Sequence, residues 1–298
     1  MKRLYGDGTL SVAPPHARDF LALGKPELTL LSVLTALGGA YLGRADGASY
    51  VPLFWTFLGT LLVGAGAGAL NMLLEWRYDA EMKRTERRPL PAGRVSGAEA
   101  ATFGILCSAG GIVTLGLFTT LTAMLLASVT LVTYLMLYTP LKRLTPFATV
   151  VGAVPGALPP VIGWAATRGT IGLEGWGLFA ILFFWQMPHF LSLSWMYRRD
   201  YERAGYRLLA VLDRDGSVIR RQILVFTAAL LPASVFPTYI GMCGELYFAG
   251  ASLLSIGFLL AAFRWVRPLS GVSARRLFLA SLVYLPTLIF FMILDRVG

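Results

Sequence analysis

The sequence predicts an all-α, polytopic membrane protein of nine transmembrane helices with its N-terminus inside. Three observations carry this. The 298 residues are 56% hydrophobic and only 14% charged, with a mean hydropathy of +0.66, whereas a soluble chain is nearer a quarter charged. Nine apolar stretches are each of a length that suits a membrane span. Sorting the 26 Lys and Arg residues by the loops between those stretches puts 23 on one side, as the positive-inside rule demands. The net charge of +10 is therefore a matter of membrane orientation and not of nucleic-acid binding, because the bases sit in loops between apolar spans.

Residues 1–24 come first. They contain no apolar h-region, so no cleaved signal peptide is expected, only a short, partly ordered cytoplasmic tail. Residues 25–298 are expected to form one transmembrane domain. Its spans are read at 26–43, 52–75, 99–118, 121–139, 147–166, 175–197, 220–242, 245–264 and 275–294. The second carries a run of small residues, Gly64 to Ala69, which permits close helix packing. Pro155, Pro188, Pro232 and Pro286 fall inside spans, where neighbouring helices can satisfy the freed backbone groups. The outer side holds only Arg44, Arg168 and Arg296, and the C-terminus ends there. The long inner loops are 76–98 and 198–219, so chemistry is expected at the cytoplasmic face. Cys107 and Cys243 lie in apolar surroundings, form no metal or disulfide pattern, and read as inert thiols.

The stretch NMLLEWRYDAEMKRTERRPLPAGR, Asn71 to Arg94, organises the rest. Asn71, Glu75 and Asp79 stand at i, i+4 and i+8, on one face of a helix. An acid at a membrane-helix centre costs roughly 2.5–3.5 kcal/mol, and less toward the interface. Six bases follow: Arg77, Lys83, Arg84, Arg87, Arg88 and Arg94. One reading is a solvated helix end followed by a positive-inside loop. The other is a Mg²⁺-diphosphate site, with acids for the metal and bases for the phosphates. A second cluster, WQMPHFLSLSWMYRRDYERAG from Trp185, repeats the pattern, with Asp200 among Arg198, Arg199 and Arg203. As a partner of the first cluster, Asp200 reads as a second metal arm. Tyr138 and Lys142 are i and i+4 at the inner end of the fourth span. Lys142 either meets a phosphate or snorkels to the interface as an anchor. His189 is either a satisfied core residue or a haem-binding group; it lies eleven residues before Asp200, ~16 Å deeper by helix rise. Gly152, Gly156 and Gly163 read as packing positions. No serine-hydrolase elbow, Walker loop or CxxC is present.

Together these stretches resemble the UbiA-type intramembrane prenyltransferase superfamily. The matching pieces are KPELTLL from Lys25, the Asn71–Arg94 stretch, YTPLKR from Tyr138, VVGAVPGALPPVIGWAA from Val150, and the Trp185 stretch. GALPP and WQMPH resemble its haem-modifying branch. Two features depart from the superfamily: Glu75 stands where many relatives have Asp, and Asp200 is the only well-placed acid of the second motif, Glu202 lying about 200° round the helix.

The resemblance implies a nine-helix bundle around a central cavity in a bacterial-type cytoplasmic (inner) membrane. It implies farnesyl diphosphate and haem b as substrates, Mg²⁺ as cofactor, and haem O as product for haem-copper oxidase biogenesis. Membrane lipid surrounds it, and haem A synthase or oxidase assembly factors would follow it. On the same footing, Asn71, Glu75, Asp79 and Asp200 would hold the metal, and Arg84, Arg88, Lys142 and Arg198 the diphosphate. Asp79, Asp200, Lys142 and Tyr138 would serve catalysis, and His189 would bind haem. The alternatives are another aromatic prenyltransferase, making a quinone precursor, and a membrane transporter. A transporter is expected to carry mid-membrane charge and broken half-helices, whereas these acids gather at one face.

Overall fold

The computed structural model describes residues 17–297. Of the expected tail, residues 1–16 lie outside the described residues, and Ala17–Leu23 is a helix, α1. After it come α2 (Pro26–Gly43), α3 (Val51–Asp79), α4 (Gly97–Phe118) and α5 (Leu121–Val132). A π-helical turn, Thr133–Tyr138, leads into the short α6 (Thr139–Leu141). Then come α7 (Ala148–Ala157), α8 (Pro159–Arg168), α9 (Gly172–Met196), α10 (Arg198–Arg203) and α11 (Leu209–Leu212). The chain closes with α12 (Ser217–Tyr239), α13 (Glu245–Trp265) and α14 (Gly271–Leu294). The described residues form no strand, only one isolated bridge between Cys243 and Arg296.

Among the described residues, eight segments are by themselves long and apolar enough to cross a membrane. The span expected at 26–43 is α2, which qualifies as a ninth only when joined to α1 across a 58° bend. The second span runs a full turn beyond its expected end, so Asp79 is the last residue of α3. The span expected at 147–166 is two helices, α7 and α8, meeting at Leu158. Pro159 and Pro160 explain the break, since neither has an N–H to give the preceding turn.

Small residues set the closest helix contacts. A methyl added at Gly163 of α8 would overlap the Ala36 carbonyl of α2, and one at Gly39 would overlap that of Pro160. Along α3, Gly66 abuts Gly104 and Ser108 of α4, Gly64 abuts Thr29, and Gly68 lies against the α1–α2 corner at Leu23 and Gly24. The run Gly64–Ala69 thus brings three neighbours onto one stretch of α3. Outward faces are apolar: Leu117 and Leu253 are 72% and 73% exposed, which costs nothing against lipid. Beyond the N-terminal end of α3, Arg296 donates to the Arg44 carbonyl and pairs with Asp46 at 3.2 Å, tying the end of α14 to the α2–α3 loop. Cys243 is buried and Cys107 half-buried. Burial, with Asp295 nearby, pushes the Cys243 thiol up to about 12, which leaves it inert.

Candidate active site

The C-terminal end of α3 carries the polar face. Asn71, Glu75 and Asp79 are all buried, at 1%, 5% and 1% exposure. Unpaired, such carboxylates would be far too costly to ionise, and each has a cation. Lys142 donates to both oxygens of Glu75, at 2.7 and 2.8 Å. Arg88 donates to Asp79 Oδ2 at 2.7 Å. Lys25, at the α1–α2 corner, donates to Asn71 Oδ1, while Asn71 Nδ2 donates to Thr139 Oγ1 at 2.9 Å. Tyr206, from the segment after α10, donates to Glu75 Oε1 at 3.1 Å.

Local chain geometry delivers these groups. Pro140 has no N–H for the carbonyl four residues back. The turn before it widens to π-helix, and the Thr139 hydroxyl donates to the Tyr134 carbonyl at 2.9 Å. Lys142 then lies with its ammonium 4.6 Å from the Tyr138 ring centroid. That ring occupies the space where Gly152 lacks a side chain. In the loop after α3, the Thr85 hydroxyl donates to the Asp79 carbonyl at 2.8 Å and helps turn the chain so that Arg88 returns to Asp79. The Ser96–Glu99 capping box then starts α4. A small apolar cluster of Met82, Leu141, Ala148, Ala204 and Leu208, with Tyr78, Tyr201 and Tyr206, packs where the two inner loops meet.

Burial opposes the charge of Lys142, but the Glu75 carboxylate and the neighbouring phenol oxygens outweigh it and hold the ammonium well above the ordinary lysine range. Burial and the same carboxylate push the Tyr206 phenol upward, so it remains a donor.

Of the residues singled out in the sequence, Asn71, Glu75, Asp79, Lys142, Tyr138 and Arg88 come together. Arg84 joins through the second loop: it donates to the Tyr201 hydroxyl at 3.3 Å and lies 5.0 Å from the Tyr197 ring centroid. Three others do not join. Asp200 is taken up by Arg203, one turn along α10, and no three of His, Cys, Asp and Glu among the described residues are grouped to hold a metal. Arg198 lies over Trp195 at 4.3 Å instead of facing the acids. His189 is set apart within α9, buried between the Trp185 and Phe278 rings, at centroid distances of 5.0 and 4.6 Å. Lys25, Thr139 and Tyr206 were not singled out as site residues. Lys25 sits in the matched KPELTLL stretch, but nothing in spacing ties it or Tyr206 to α3.

The sequence model of the UbiA prenyltransferase family matches residues 32–292, and the chain belongs to that family. Within it, the chain is similar to proteins named protoheme IX farnesyltransferase. The one from Solibacter usitatus is 42% identical over 290 residues, covering 94% of this chain and 99% of the relative. The one from Salinibacter ruber is 45% identical over 279 residues, covering 93% and 98%. The fold is also that of a solved UbiA homologue from Archaeoglobus fulgidus bound to GPP and Mg²⁺, with a TM-score of 0.69 at 16% identity over 92% of this chain and 99% of that one.

Proposed function

We propose that this chain transfers the farnesyl group of farnesyl diphosphate to a vinyl group of haem b, releasing diphosphate and giving haem O, at the cytoplasmic face of a bacterial-type inner membrane. The observation that carries the reading is the pair of buried carboxylates, Glu75 and Asp79, each neutralised by a base at the inner end of one membrane helix. A divalent metal fits the donors. Asn71, Glu75 and Asp79 offer hard oxygens on one face, and Lys25, Lys142 and Arg88 sit on those oxygens as stand-in cations. Those three residues would hold Mg²⁺, joined by Asp200 if its pair with Arg203 opens. When bound, the metal supplies positive charge against the leaving diphosphate.

The chain's own residues do the rest. Lys142, Arg88 and Arg84 stabilise negative charge as the carbon–oxygen bond of the donor breaks. Tyr138 orients Lys142 through its ring face. The apolar cluster between the inner loops excludes water from the allylic cation. The vinyl electron pair forms the new carbon–carbon bond; water then adds at the other vinyl carbon and loses a proton, leaving a hydroxyethylfarnesyl group. His189 is assigned to haem. Ser281 Oγ donates to the Phe278 carbonyl at 2.6 Å and lies 2.8 Å from His189 Nδ1. A hydroxyl has one hydrogen, so Nδ1 carries the proton and Nε2 keeps its lone pair, the tautomer an iron ligand needs.

Haem extracted from cells with and without the protein, separated by chromatography and weighed by mass spectrometry, tests the reading. Haem O is expected only with the protein, and Asp79→Asn is expected to lower its yield about 100-fold or more. A farnesylated aromatic acid in place of haem O would redirect the assignment to a quinone precursor. Normal turnover by Asp79→Asn would move the diphosphate site elsewhere.

A further inference from the structure

Lys25 is the one residue of the polar cluster whose backbone is strained. Among the described residues it alone has a positive φ without being glycine, at φ 47° and ψ 63°. L side chains avoid that region, and a residue preceding proline is normally pushed to extended backbone. Gly24 stands one position earlier and would have taken the left-handed turn at no steric cost. The strain falls instead on the residue with a long cationic side chain, at the corner where Gly68 lets the chain press onto α3. The result is an ammonium on Asn71 Oδ1, within electrostatic reach of Glu75, Asp79, Lys142 and Arg88.

The charges of that cluster do not balance. Glu75 is matched by Lys142 and Asp79 by Arg88, while Lys25 has no ion pair among the described residues and only a neutral amide oxygen for its ammonium. A cation crowded by two others in a poorly solvated site is costly without an anion. Part of its surface stays exposed, so an incoming group can meet it.

We propose that Lys25 is a diphosphate-binding residue: its ammonium leaves Asn71 and donates to phosphate oxygens of the prenyl donor from the α1–α2 corner. This rests on reading the acid face as a diphosphate site. Asn71 is thereby released, and the unmatched positive charge of the cluster finds its counter-ion.

The test is the affinity of the purified full-length protein in detergent for inorganic diphosphate with Mg²⁺, and for an unreactive thiolo analogue of farnesyl diphosphate. Lys25→Gln keeps a polar partner for Asn71 and removes only the charge. Both affinities are expected to fall about 10- to 100-fold, the worth of a charged hydrogen bond, while Lys25→Arg stays within about threefold. Lys25→Met, which removes the charge without a polar end, serves if the Gln variant does not fold. A neutral variant that binds as tightly as the wild type reduces Lys25 to a tether between the α1–α2 corner and α3, and overturns the proposal. Wild-type protein that binds neither probe overturns both the site and the proposal. Lys25-dependent binding without any haem O formation sustains Lys25 and removes only haem as the acceptor.

Discussion

Glu75 accepts two hydrogen bonds from Lys142 and one from Tyr206, and this is how a buried acid is kept charged in a membrane protein. Removing one partner of such a buried pair costs about 3–5 kcal/mol, because the other charge is left behind. The pairing therefore keeps this end of α3 folded with its charges matched, and on the proposed function the same bases are the ones that turn to the diphosphate. His189 follows a different rule. Its Nδ1 is satisfied by Ser281 and its ring is packed on both sides, so the surrounding helices fix its position. On the proposed haem role, His189→Ala is expected to lower the haem affinity of the purified protein about tenfold or more, as loss of an iron ligand would, while farnesyl diphosphate affinity stays within about twofold. Equal haem affinity in the variant and the wild type would return His189 to the packing of α9 against α14.

Helix elements explain which parts of the site were legible in the sequence. Asn71, Glu75 and Asp79 were legible because helical periodicity alone puts them on one face. Tyr138 and Lys142 were spaced one turn apart, although the π-turn ahead of them was not foreseen. Its cause, the missing N–H of Pro140, is local but acts on backbone and leaves no pattern of side chains. Lys25 and Tyr206 were missed as site residues, and Arg198, expected at the diphosphate, lies over Trp195, because these positions follow from a left-handed corner and two loop paths that periodicity does not encode. The role of the small residues was legible in kind but not in partner. Gly163→Val should drive a side chain into the Ala36 carbonyl and part α2 from α8. We expect a loss of about 1–3 kcal/mol, read as a lower melting temperature in detergent. Gly110→Ala is the control: a methyl there meets nothing within 4 Å, and the better helix former should leave stability unchanged or raise it by ~0.5–1 kcal/mol. Equal melting of both variants would contradict the close α2–α8 approach.

Over the whole molecule, polarity divides the two ends. The end at which α3 finishes holds the acid face, the two charged loops and the Tyr-rich cluster between them. At the opposite end, Arg296 donates to the Arg44 backbone carbonyl and pairs with Asp46, tying the end of α14 to the α2–α3 loop, while the Arg44 guanidinium donates to the Ala48 carbonyl within that loop. This division depends on α1 and α2 together counting as one crossing, since the other eight segments alone would leave both termini on the same side. Reporter fusions decide it. Fusions after Arg44, after Arg168 and at Gly298 should report the outside, and fusions after Arg94 and Asp213 the inside, as 23 of 26 bases require. The Arg44 fusion is the informative one, because among the described residues only the bent α1–α2 pair precedes it. If it reports inside, the bent pair does not cross. The acid face would still lie at one end of α3, but the inner loops would then have to be assigned to the opposite compartment or the count of crossings remade.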